Sequence, residues 1–137
     1  MADMSYLNIV TNVFEFWADA LSETDIGEET YFERPSGDIK LPCASLLPLP
    51  SGELGHDLHN DASGIELTIQ TDLFVRAETP LSKIYELNAV SHAALVALGF
   101  RLTASTTPEM PQNGYKRLIS RYARVIGYGE PLAEESA

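Results

Sequence analysis

Cysteine is nearly missing from this chain of 137 residues: Cys43 stands alone, which excludes an intramolecular disulfide and any zinc site made from cysteines of one chain. Cations are scarce as well. Nine Lys and Arg stand against 20 Asp and Glu, for a formal net charge of -11. A chain so poor in basic residues is badly equipped to grip the outside of DNA, where affinity comes from neutralising phosphates. No long apolar run exists. The apolar positions of residues 6–21 are broken by Asn8, Asn12, Glu15 and Asp19, and Asp3 stands where a secretory leader carries cations. Neither a signal peptide nor a membrane span is expected, and the expected setting is reducing and intracellular. No glycine-rich loop precedes a helix and no G-x-S-x-G elbow occurs, so neither a phosphate cradle nor a serine hydrolase is indicated. Internal repeats and low-complexity blocks are also lacking.

What is present describes one globular core. Apolar residues make up 45% of the chain and charged residues 21%, ordinary values for a folded domain of this length. Residues 5–22 read as a helix: Leu7, Val10, Phe14, Trp17 and Leu21 recur at steps of three and four, and Ile9, Val13, Phe16 and Ala20 form a second stripe. A helix apolar on two sides is expected to be covered on two sides, by its own domain or by a neighbour. Residues 23–76 read as strands, with Thr30 to Arg34 closed by Pro35, Leu41 to Leu47 closed by Pro48, and a long polar loop at 48–64. Ile65 to Arg76 alternates most clearly, with Ile65, Leu67, Ile69, Thr71, Leu73 and Val75 toward the core and the other face wet.

A second helix is expected over 80–98, opened by Pro80 and stopped by Gly99. Its core face is read as Leu81, Ile84, Asn88, Ser91, Leu95 and Leu98, with Ala89, Ala93, Ala94 and Ala97 allowing close approach to a sheet. Residues 100–126 read as a long hairpin whose arms, Phe100 to Ser105 and Tyr115 to Ile126, are joined by a protruding loop containing Pro108, Pro111 and Asn113-Gly114. An acidic tail occupies 127–137. The fold class expected is α+β: a single domain over 1–137, with a mostly antiparallel sheet packed against two helices.

The residues with metal-ligand chemistry are His56, His59 and Asp61, in the loop at 48–64. They carry the right donor atoms, but no helix or strand fixes their spacing, so a solvated loop is the simpler reading. Cys43 falls in a strand expected to be buried, where a thiol packs and does not react. The last strand is unusual in holding Lys116, Arg117, Arg121 and Arg124. These charges either keep an exposed strand from stray pairing or meet the acidic surface of a neighbouring copy. The excess of negative charge favours the second.

The order of these parts, with a helix ending Leu98-Gly99-Phe100, a connection rich in Pro and Asn, and a last strand carrying Arg121-Tyr122, resembles the tail terminator (tail completion) proteins of long-tailed bacteriophages. The Pro-flanked segment Leu41-Pro42-Cys43-Ala44-Ser45 after the first helix is similar too. The resemblance covers residues 5–127, except that the 48–64 loop has no counterpart. It implies a structural virion protein with no enzymatic activity and no cofactor. Such a subunit closes into a ring, in that family a hexamer, on the tail tube protein and presents a docking face to a head-completion or neck protein. DNA passes through the lumen without specific binding, and the location is the neck of a virion assembled in the host cytoplasm. With that reading, Arg117, Arg121 and Arg124, together with Phe16 and Trp17, become candidate intersubunit contacts. Rival readings are another neck component, namely a head-completion or stopper protein, a small metal-binding α+β enzyme using His56, His59 and Asp61, and an adaptor that pairs a peptide with a free sheet edge.

Overall fold

The computed structural model describes residues 6–33, 40–49, 65–112 and 114–126. In chain order these give α1 (Tyr6–Leu21), β1 (Thr30–Phe32), β2 (Cys43–Leu49), β3 (Ile65–Arg76), α2 (Leu81–Ala97), β4 (Arg101–Ser105), β5 (Glu109–Gln112) and β6 (Tyr115–Ile126). The sheet runs β1-β2-β3-β6-β4, with β5 also paired to β6. All pairs are antiparallel except β1 with β2. The α+β class expected from the pattern is the one observed.

Both helices lie on one face of this sheet. Val10, Val13, Trp17 and Leu21 of α1 and Ile84, Leu87, Ala94 and Leu95 of α2 share a single core with Leu46, Leu67, Ile69, Leu73, Val75, Leu118 and Tyr122 of the strands. Each fully buried Leu or Ile contributes about 1.5–3 kcal/mol of apolar transfer. β3 and β6 pair along their whole lengths, from Ile65↔Ile126 to Arg76↔Tyr115, and form the spine of the domain.

The short first strand has a specific cause. Ala44 donates its N–H to the Glu29 carbonyl (3.0 Å), and the Leu46 carbonyl accepts from the Glu33 N–H (2.8 Å), so even-numbered residues of β2 direct their backbone groups toward β1. Pro48 is the next residue in that series and has no N–H to give. The ladder therefore stops at Phe32, and Glu33 leaves extended backbone with φ 78. Pro48 does not close β2, as its sequence position suggested, but lies inside it, paired with Ile69 of β3.

Helix α2 ends on a two-bond glycine cap. The Phe100 N–H reaches the Leu95 carbonyl (3.0 Å) and the Gly99 N–H reaches that of Val96 (2.9 Å), which requires a left-handed residue at Gly99, φ 91. Pro80 takes the N-cap position, one residue earlier than expected, and its carbonyl accepts from Lys83 and Ile84. Of the expected core face of α2, Ile84, Ser91, Leu95 and Leu98 are buried, but the buried side is turned slightly from the one expected. Leu87 and Ala94 point inward, whereas Leu81 is 54% exposed and Ala89, Ala93 and Ala97 face solvent. Apolar residues surround this helix, so their spacing alone left its orientation open.

The connection read as a protruding loop is laced to the sheet. Thr106 donates its N–H to the Ile119 carbonyl (2.9 Å), and Glu109 and Gln112 pair with Arg117 and Tyr115. Pro108 and Pro111 are tolerated because this is an edge. The His-bearing loop and the tail at 127–137 lie outside the described residues.

Candidate functional site

The outer face of the sheet, opposite the helices, carries an ordered run of polar side chains. It was expected to be wet, yet Ser45, Gln70 and Asp72 are 4%, 9% and 6% exposed. Central strands shield one another, and a carboxylate held this far from water needs full pairing. Asp72 has it. Arg117 Nε and Nη2 both donate to Asp72 Oδ2, at 3.0 and 2.6 Å, and Gln70 Nε2 donates to Oδ1 at 2.8 Å. Arg121 Nε then donates to Gln70 Oε1 at 3.0 Å. The chain Arg117–Asp72–Gln70–Arg121 crosses from β6 to β3 and back. Register dictates it: Arg121 stands opposite Gln70, and Arg117, opposite Phe74, reaches diagonally to Asp72. The Arg117 guanidinium also lies 5.8 Å from the centroid of the Phe74 ring, whose other neighbour is Tyr115 at 5.8 Å.

The other sequence-selected residues fall in separate places. Arg124 is on the inner face, where Nη1 donates to the Leu98 carbonyl at the end of α2 and its side chain packs over Gly99. A basic group at a helix C-terminus offsets the partial negative charge of the last carbonyls. Arg117 and Arg121 are thus neighbours, while Arg124 is not part of their group. Trp17 is corrected more sharply. It is 0% exposed, and its indole N–H donates to Ser91 Oγ at 2.8 Å, so it belongs to the core and has no surface to offer a partner. Phe16, on the far side of α1, is 43% exposed.

Sequence patterns missed Asp72 and Gln70, whose roles depend on which residue of β6 lies beside them. They also missed the apolar side chains left in solvent: Leu81, Tyr85 and Val96 on α2, Leu102 on β4 and Val125 on β6.

Three titratable groups are strongly shifted: the Tyr31 hydroxyl is pushed up to about 12 by its hydrogen bond to Glu29, and the other two are sealed in. Burial pushes the Cys43 thiol up to about 11, with Glu29 adding to the shift, and pushes the Tyr122 hydroxyl up to about 12. Tyr122 O–H lies 2.9 Å from His92 Nδ1, which gives this buried hydroxyl its partner. A void of about 10 Å³ between Trp17, Leu21, Ile26, Leu87, Asn88 and Ser91 has room for roughly one water and no organic ligand. Among the described residues no group of three or more His, Cys, Asp and Glu is placed to hold a metal, and His56, His59 and Asp61 lie outside them. Among the described residues no helix is long and apolar enough to cross a membrane.

No protein-family model matches this chain, and no curated protein matches it.

Proposed function

We propose that this chain is a structural, non-enzymatic ring subunit of the phage tail terminator type, which caps the tail tube and joins it to the head. The observation that carries the reading is the distribution of sticky surface. Exposed apolar side chains occur on both sides of the sheet, Phe16, Leu81, Tyr85 and Val96 on the helices and Val125 on the outer face beside the arginines. A subunit with contact surfaces on opposite sides associates head to tail, and such association closes into a ring when the rotation per copy allows it. The resemblance in residues 5–127 supplies the biological setting: a hexamer on the tail tube protein, a neck protein on the other side, and DNA passing acidic walls that do not retain it.

The test is the mass of the purified chain by light scattering, alone and with tail tube protein, followed by electron microscopy of the product. A closed ring, or a ring formed on tube ends, is the expected result. A chain that stays monomeric at high concentration and in the presence of tube protein would remove the reading.

A further inference from the structure

We propose that the outer face of the sheet, along its exposed arginines, is the seat for helix α1 of a second copy, so that each subunit docks on the sheet of the next. The inference rests on the ring-forming reading above and names the two surfaces that meet.

The sheet offers a basic, partly apolar seat in an otherwise acidic molecule. By register, Arg76, Arg117, Arg121 and Arg101 all stand on the outer face. They are four of the nine cations in the chain. Two carboxylates share the surface: Asp72 is engaged by Arg117, and Glu66 sits near the far end of β3; Glu109 of β5 is in register with Arg117. Among the described residues Arg76, Arg101 and Arg121 are exposed and have no ion-pair partner. Between them lie half-buried Phe74, Tyr115 and Ile119 and exposed Val125. Among the described residues both helices lie on the other side of the sheet, and the rings and aliphatic groups of this face have no helix against them.

Helix α1 has the complementary character. Its sixteen residues include no Lys or Arg. Glu15 and Asp19 on the helix, and Glu23 just past its end, follow at four-residue steps, all exposed, with the 43%-exposed Phe16 beside them. That acidic row is roughly 12 Å long at helical rise. Arg117 and Arg121 are roughly 13 Å apart at strand rise. Phe16 supplies the apolar contact the rings and Val125 call for.

The geometry also sets the mode of association. The acidic helix and the basic sheet face lie on opposite sides of one subunit, so no two copies can satisfy both surfaces of each other face to face. The contact is heterologous, and copies must add in series until the series closes.

The experiment is a reciprocal charge swap in the full-length chain, read by light scattering at moderate salt. Arg101→Glu/Arg121→Glu and, separately, Glu15→Lys/Asp19→Lys should each weaken association roughly a hundredfold, because like charges are brought together at the contact. Mixing the two variants should restore assembly, since each then offers the surface the other needs. Circular dichroism and thermal melting of each variant establish that it is folded, and the mixture distinguishes a misfolded variant from a repelled one. If the wild type assembles and neither swap changes its mass, the seat is elsewhere and the ring reading stands. A wild type that never associates, with or without tube protein, ends both. If a fluorescent single-stranded oligonucleotide binds the wild type and not Arg101→Glu/Arg121→Glu while copies do not associate, the face serves nucleic acid and the proposal is overturned.

Discussion

The indole N–H of Trp17 meets the hydroxyl of Ser91 at 2.8 Å, joining α1 to α2 where neither group can reach solvent. An indole brought fully inside must find an acceptor, and a serine in the middle of a helix must find a use for its hydroxyl. Each residue answers the other's requirement.

Ser91→Ala is therefore expected to cost about 1–3 kcal/mol, the penalty of leaving a buried donor unpaired. The same change made in a Trp17→Phe background, where no donor remains, should cost less. A double-mutant cycle by urea denaturation checks this, and additive effects would show that the bond contributes nothing of its own.

Arg117→Leu should destabilise by about 1.5–3 kcal/mol, since it removes the charge-assisted bonds to the buried Asp72. Adding Asp72→Asn should recover part of the loss, because the amide needs no countercharge and its oxygen still accepts from Gln70. Thermal melts of the single and double variants decide it, and a double variant weaker than Arg117→Leu alone would contradict the pairing argument.

Gly99→Ala tests the end of α2. The residue is held at φ 91, and an added Cβ would sit 3.0 Å from Arg124 Nε and 3.1 Å from its guanidinium carbon. Backbone strain of about 1–3 kcal/mol adds to displacement of the Arg124 side chain that covers the cap. Arg124→Ala combined with Gly99→Ala should relieve the crowding but not the strain, so the pair should be less damaging than the sum of the two changes. Denaturant midpoints report the difference.

Alkaline pH should unfold the protein in a predictable window. Cys43 and Tyr122 have ordinary values of 9.0 and 10.0 and are raised by burial to about 11 and about 12. Below pH 9 both are protonated whether the chain is folded or not, so this stability is fully present. Between pH 9 and 12 the unfolded chain loses these protons first, which draws the equilibrium toward unfolding. Tyr122→Phe should flatten the upper part of this decline in a pH series of thermal melts. Native Cys43 should also resist a thiol reagent that modifies it at once in denaturant.

The long strand was legible in the sequence because a period of two over Ile65 to Arg76 has no competing explanation. Helix positions were legible from apolar steps of three and four, but the orientation of α2 only in part. On α2 the apolar residues occur all round, and Leu87 and Ala94 won the core over Leu81 and Asn88 only through packing against α1 and the sheet. Trp17 and Phe16 are adjacent aromatics with opposite fates: they lie on different sides of α1, and it is the side of Trp17 that meets α2, where Ser91, 74 positions away, accepts its indole N–H. Asp72 and Gln70 could not be tied to Arg117 and Arg121 before the β3–β6 register was known. Pro108 and Pro111 suggested a free loop because prolines exclude a central strand, yet they do not exclude an edge.

The missing N–H of Pro48 and the left-handed Glu33 give the sheet an unequal pair of margins. On the β1 side there are three residues of strand before Glu33 turns out of extended backbone, whereas the β4 margin is exposed along all five of its residues. Among the described residues a foreign strand thus finds more strand to pair with at the β4 border than beside β1. That asymmetry guards the fold against open-ended stacking through its sheet, the route by which many β-rich subunits turn into fibres, and leaves side-chain surfaces as the safer means of joining copies.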